Sequence, residues 1–225
     1  MSIKPHHTPY LKVCGMADAD SLQAVAALQP DFLGFIFYPQ SKRYVGGRLP
    51  AAAVRALPAA IRRVGVFVDE QPAAVLDNVQ EYGLDVVQLH GQESADVCLA
   101  LRMTGVAVIK AFAVGEEFDF TRLEPYVGCV DYFLFDAAGA QPGGNGTAFR
   151  WELLQGYTLP VPYFLAGGIG PEHAVALPGL SLPGLFALDL NSRFETAPGV
   201  KDAGQLGRFF RALNPKNQES YTDGL

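Results

Sequence analysis

At 225 residues, 49% hydrophobic and 18% charged, the chain is long and apolar enough to bury one full-sized core. A formal net charge of -6 without a basic cluster argues against nucleic acid or an anionic membrane as the main partner, and a small-molecule ligand is the expectation. No run of about 18 apolar residues is present, and MSIKPHHTPY has no signal-peptide pattern, so a cytoplasmic protein is expected. Cys14, Cys98 and Cys129 are odd in number and form no CxxC pair. They read as reduced thiols, with neither a disulfide framework nor a zinc site.

Residues 1–9 are expected to be a loosely held arm. The first strand is YLKVCG (10–15), followed by FLGFIFY (32–38) and RRVGVFV (62–68). After the third strand the pattern is clearest. Pro72 suits a first helical position, Val75, Leu76, Val79 and Tyr82 share one face, and Gly83 can take the left-handed cap, which predicts a helix over 72–82. Next come DVVQLHG (85–91), AVIKAFA (107–113), YFLFDA (132–137), YFLAGG (163–168) and LFALDLNS (185–192). Most of these runs are apolar almost throughout, as strands covered on both faces must be. The crossover near Arg150–Gln155 is short and the one beginning at Pro171 is broken by prolines. A polar tail is expected from Asn214, so the domain spans 10–213.

Eight strands alternating with crossover segments predict a single-domain α/β fold of the (β/α)8, or TIM-barrel, type, whose active site lies at the C-terminal ends of the strands. A doubly wound open sheet is the alternative. It would more often carry a glycine fingerprint after its first strand, and Cys14-Gly15-Met16 is not GxGxxG.

Several strand ends carry reactive groups: Cys14 on the first, His90 on the fourth, Asp136 on the sixth and Asp189 on the eighth. Each has a plain alternative. Cys14 fits a small buried apolar residue, Asp136 a helix cap, His90 a hydrogen-bonded core histidine or supporting group, and Asp189 a carboxylate that orients its neighbours. Cys98 and Cys129 read as packing residues. LAGGIG (165–170) sets Gly167 and Gly168 between a strand and the turn at Pro171, so bare backbone N–H groups can approach an anion. Phosphate in such barrels is often held by the loops after strands seven and eight, with a short extra helix. The eighth loop, opening with Asn191 and Ser192, is long enough for that helix.

Six segments in order, LKVCG, SKRYV (41–45), VQLHG (87–91), FLFDA with PGGNGTAFRW (142–151), LAGGI and ETAPGVKD, give the stretch from about residue 10 to 213 a specific resemblance to the phosphoribosylanthranilate isomerases of tryptophan biosynthesis. The resemblance implies an Amadori rearrangement of N-(5-phosphoribosyl)anthranilate to the corresponding 1-(carboxyphenylamino)-1-deoxyribulose 5-phosphate, with no cofactor or metal. It makes Cys14 the general base and Asp136 the general acid. Arg43 becomes the contact to the anthranilate carboxylate. His90, Gly167, Gly168, Asp189, Asn191 and Ser192 become substrate-binding residues, and glycines 143–146 a cover over the sugar. A monomer or homodimer is expected.

That chemistry requires a protonated Asp136 and a Cys14 thiol with a lowered pKa, to which Lys12, two residues earlier on the same side of the strand, is expected to contribute. Two positions depart from the family pattern. Arg193 occupies a turn position where glycine is expected, implying strain if a positive φ is required, and Asn145 replaces a small hydroxyl residue. The alternatives are a sugar-phosphate epimerase, a bifunctional isomerase of histidine and tryptophan synthesis, and a catalytically silent phosphate-binding barrel.

Overall fold

The structure, a computed structural model, describes residues 8–137, 151–177 and 182–213. Most of the expected N-terminal arm, the glycine run 143–146 with Asn145, and the tail from Asn214 lie outside the described residues.

Eight parallel strands close into a barrel in sequence order: β1 (Tyr10–Val13), β2 (Phe32–Ile36), β3 (Arg62–Phe67), β4 (Val86–Leu89), β5 (Ala107–Val114), β6 (Tyr132–Ala137), β7 (Tyr163–Leu165) and β8 (Leu185–Leu190). Closure runs through β1, where Lys12 stands opposite Phe32 on one side and Asp189 on the other.

Side chains alternate along a strand, so every second residue faces the barrel axis. The lower interior is apolar, with Phe32, Val64, Val86, Ile109, Leu134, Phe164 and Ala187 in one buried cluster. Tyr10 and Tyr132 pack on Phe186 from two sides, ring centroids 4.6 Å away in each pair. Burying each such ring contributes roughly 1.5–3 kcal/mol. The opposite strand faces, including Leu33, Phe35, Phe133, Leu165 and Leu188, join a larger cluster under the helices. One rigid, dry barrel therefore carries whatever stands at its upper rim.

Helices cover the outside unevenly. Asp18 caps α1 (Ala19–Ala26) by accepting from the Ser21 N–H at 2.8 Å. A short α2 (Ala51–Arg55) follows β2. Pro72 opens α3 (Pro72–Tyr82) and left-handed Gly83 closes it, as the sequence predicts. Ser94 caps α4 (Ala95–Arg102). After β5, β6 and β7 the described cover is 3-10 helix instead, at Phe120–Tyr126, Trp151–Gly156 and Pro171–His173. Pro125 within the first of these and Pro171 at the start of the third limit regular helix there.

The extra helix expected in the eighth loop is a single 3-10 turn, Ser192–Phe194, followed by a hairpin of β9 (Glu195–Ala197) and β10 (Val200–Lys201). That hairpin leads into α5 (Ala203–Leu213), which buries Leu206, Phe209 and Leu213.

Candidate active site

The upper barrel is polar where the lower is dry. A cavity of about 180 Å³ opens at the C-terminal ends of the strands. It is lined by Cys14, His90, Asp136, Gly167, Gly168, Asp189, Asn191 and Ser192, all expected from the sequence, and by Gln88 and Arg193 among others. Arg43 is not part of that lining.

Cys14 follows β1 and is buried. Room for its side chain comes from Gly34 on β2, where a Cβ would stand 2.7 Å from Sγ. Burial pushes the thiol pKa up, and Asp189 adds to the rise, while the ammonium groups of Lys12 and Lys201 pull it down. The net direction is upward. This corrects the expectation of a lowered pKa: Lys12 contributes as expected, but in the substrate-free chain desolvation outweighs it.

Lys12 itself is fully buried. Burial opposes its charge, yet Asp189 and Cys14 more than offset this and its pKa is raised. Its Nζ donates to Asp189 Oδ2 at 2.8 Å and to Gln88 Oε1 at 2.7 Å. Burial raises the Asp189 carboxyl against the pull of Lys12, and Asp189 Oδ1 has no hydrogen-bond partner among the described residues. Asp189 therefore does what the sequence suggests of an orienting carboxylate by holding Lys12, and the residue itself lines the cavity.

On the other side, Asp136 at the end of β6 is more than a third exposed, and its Oδ2 lies 3.6 Å from His90 Nε2. His90 Nδ1 is 3.0 Å from Gln88 Nε2. The histidine is thus not a core residue; it stands exposed beside the carboxylate.

Gly167 and Gly168 both have left-handed backbones, with φ of 87° and 69°, which only glycine adopts readily. Among the described residues, the N–H groups of Gly167, Gly168, Ser192 and Arg193 donate to no backbone carbonyl. All four residues line the cavity, and backbone amides without a carbonyl partner are the kind of donor an anion needs. Arg193 does not adopt a positive φ, which corrects the expectation of strain. Its position in the 3-10 turn Ser192–Phe194 demands no left-handed backbone, and its side chain pairs with Glu172 at 2.6 Å.

Arg43 lies against Gly15, where a Cβ would stand 2.6 Å from Arg43 Cδ. Its guanidinium forks onto Glu195, with Nε 2.8 Å from Oε1 and Nη2 2.5 Å from Oε2. Lys201 Nζ joins the same carboxylate at 2.7 Å and reaches Asn191 Oδ1 at 2.8 Å. The Arg43–Glu195 pair therefore ties the hairpin to the loop after β2, and Lys201 ties it to Asn191 just beyond β8.

Sequence reasoning missed Gln88, Gly34 and the Glu195–Lys201 pair. Gln88 had a signal: within VVQLHG it shares the inward parity of His90, and a polar residue inside an otherwise apolar barrel needs a partner. Glu195 and Lys201 depend on a hairpin that strand periodicity does not mark. Among the described residues no group of three or more His, Cys, Asp or Glu is arranged to hold a metal ion. No described helix is long and apolar enough to cross a membrane.

Comparison with known proteins identifies the family and agrees with the barrel fold. Residues 11–212 match the family model for N-(5'-phosphoribosyl)anthranilate (PRA) isomerase. The chain is 40% identical over 208 residues to the N-(5'-phosphoribosyl)anthranilate isomerase of Phocaeicola vulgatus, covering 92% of this chain and 99% of that protein. It is 39% identical to one from Rhodopseudomonas palustris, covering 92% and 97%. The crystal structure of the phosphoribosyl anthranilate isomerase of Thermotoga maritima superposes with a TM-score of 0.79 at 31% identity, over 92% and 99% of the two chains. A phosphoribosyl anthranilate isomerase in complex with reduced 1-(o-carboxyphenylamino)-1-deoxyribulose 5-phosphate gives 0.75 at 30% identity, over 92% and 99%. With its family model matched along nearly the whole barrel, the chain belongs to the N-(5'-phosphoribosyl)anthranilate isomerase family.

Proposed function

We propose that the cavity converts N-(5'-phosphoribosyl)anthranilate to 1-(o-carboxyphenylamino)-1-deoxyribulose 5-phosphate, the isomerisation of tryptophan biosynthesis, with Cys14 as base and Asp136 as acid. The observation that carries this reading is that one small cavity is lined by Cys14 with its buried thiol, by Asp136 with its accessible carboxyl group, and by Gly167, Gly168, Ser192 and Arg193, whose amides donate to no backbone carbonyl among the described residues.

Asp136 gives its proton to the ring oxygen as the C1–O bond breaks and the aniline nitrogen's lone pair forms the iminium. The Cys14 thiolate then takes the C2 proton. Those C–H electrons form the C1–C2 double bond and neutralise the nitrogen. The resulting enolamine becomes the ketone by losing its hydroxyl proton and gaining one at C1. No electrons leave the substrate, so no redox partner is needed. In the substrate-free chain the thiol keeps its proton, and the iminium charge adds to Lys12 and Lys201 in favouring the thiolate.

The glycine amides and those of Ser192 and Arg193 hold the phosphate. Asn191 supports this loop through Lys201. Asp189 Oδ1, left unpaired, accepts from a sugar hydroxyl. Arg43 is proposed to reach the anthranilate carboxylate with the guanidinium edge not used by Glu195. A turnover assay that follows loss of substrate fluorescence, run with and without chelator, tests the function. Equal turnover in both supports it. A chain that binds phosphorylated ligand without turnover supports the silent-barrel reading, and turnover abolished by chelator supports a metal-dependent epimerase-like site.

A further inference from the structure

At the floor of the cavity, three inward-facing polar residues from different strands meet: Gln88 of β4 and Asp189 of β8, which line it, and Lys12 of β1. Lys12 and Gln88 are almost completely buried, so neither is available to solvent or to a large ligand. Their hydrogen bonds form a chain whose direction is fixed by chemistry. An ammonium group only donates. The Gln88 atom that Lys12 Nζ meets at 2.7 Å must therefore be the carbonyl oxygen, which settles the orientation of the amide. The other end of the amide, Nε2, can only donate, and the atom before it at 3.0 Å is His90 Nδ1. Nδ1 must then accept. A neutral imidazole whose Nδ1 carries the lone pair holds its proton on Nε2, and Nε2 is the atom 3.6 Å from Asp136 Oδ2.

We propose that Lys12 and Gln88 are positioning residues that hold His90 as its Nε2–H tautomer, so that an N–H and not a lone pair faces Asp136. The proposal rests on the reading of Asp136 as the acid. The consequence is specific. With the opposite tautomer, the Nε2 lone pair would face the carboxyl group and accept the proton meant for the ring oxygen. In the tautomer held here that lone pair sits at Nδ1, already occupied by Gln88. The Nε2–H instead faces Oδ2 at 3.6 Å, too far for a direct hydrogen bond but close enough to favour the carboxylate by charge once the proton has left. Lys12 thereby acts on both proton-transfer groups. The same ammonium that lowers the thiol pKa of the base fixes, through one amide, the partner of the acid.

The test is nitrogen NMR of the full chain labelled in its four histidines, with His90 assigned from a His90→Asn spectrum. At neutral pH the wild-type ring is expected to show an unprotonated Nδ1 and a protonated Nε2. Gln88→Glu keeps an oxygen for Lys12 but replaces the donor with an acceptor. It is expected to move a proton onto Nδ1 and to lower kcat at least tenfold with KM changed less than threefold. Gln88→Met, which removes the donor and leaves Lys12 its bond to Asp189, is expected to give a mixture of tautomers and an intermediate kcat, should the Glu variant fold poorly. A wild-type ring protonated on Nδ1, or a Gln88→Glu variant with Nδ1 still bare or kcat unchanged, overturns the inference. Near-normal turnover by Asp136→Asn, with the wild-type tautomer as stated, would instead overturn the acid assignment.

Discussion

The backbone of Gly34 lies against the side chain of Cys14: a Cβ on Gly34 would stand 2.7 Å from Sγ and 3.0 Å from the Cys14 Cα. No real Cβ sits that close to its neighbours, so β2 must carry a glycine there for the thiol to occupy its buried site. Gly34→Ala is expected to push Sγ or the strand aside and reduce kcat at least about tenfold through misplacement of the base. Steady-state kinetics check this. Unchanged kcat would mean the sulfur has another acceptable site.

Cys14 is expected to react as a protonated thiol in the substrate-free chain, because burial and Asp189 outweigh Lys12 and Lys201. Iodoacetamide labelling at Cys14, read by mass spectrometry across pH, should show a midpoint above the ordinary cysteine value of about 8.5. With Lys12→Met the midpoint should rise further. A midpoint near or below neutrality would contradict the balance of burial and charge described here.

The ion cluster of Arg43, Glu195 and Lys201 makes a stability prediction. Burial raises the Glu195 carboxyl, but hydrogen bonds from Arg43 and Lys201 hold it below its usual range. A depressed carboxyl contributes stability above its unfolded value of about 4.3, and that contribution is lost as pH falls through the lower folded value. Glu195→Gln leaves two buried or half-buried cations unpaired and is expected to cost about 3–5 kcal/mol in urea unfolding at pH 7. The gap from wild type should narrow below about pH 4. A gap that persists unchanged at lower pH would show that the carboxylate charge is not what matters.

Much of the site is legible in the sequence, for a physical reason. Parallel strands covered on both faces must be apolar, so a polar or ionisable residue at a strand end stands out, as Cys14, His90, Asp136 and Asp189 each do. All four line the cavity. What periodicity cannot show is which polar residue meets which. Lys12 and Gln88 are 76 positions apart and meet only because β1 and β4 face each other across a closed barrel. The hairpin that brings Lys201 to Glu195 lies in a loop whose sequence suggests a helix. The Cys14 pKa runs against expectation because the charge of Lys12 is visible in the sequence, whereas the cost of burying the thiol is not.

Arg193 offers a test of the phosphate loop. Its ion pair with Glu172 is half exposed on both sides, and such a pair contributes roughly 0–1 kcal/mol to stability. Its place in the cavity lining is another matter. Arg193→Ala is expected to raise KM severalfold with kcat and unfolding midpoint nearly unchanged, the pattern of lost uniform binding. An unchanged KM would leave the backbone amides as the phosphate site without help from this side chain.

The assignment of base and acid is tested most directly by turnover of N-(5'-phosphoribosyl)anthranilate in Cys14→Ala and Asp136→Asn, each first checked for a wild-type unfolding midpoint. Each variant is expected to lose at least about a hundredfold in kcat, the scale of a missing proton-transfer group. Near-normal kcat in a folded Cys14→Ala or Asp136→Asn chain would contradict the role given to that residue.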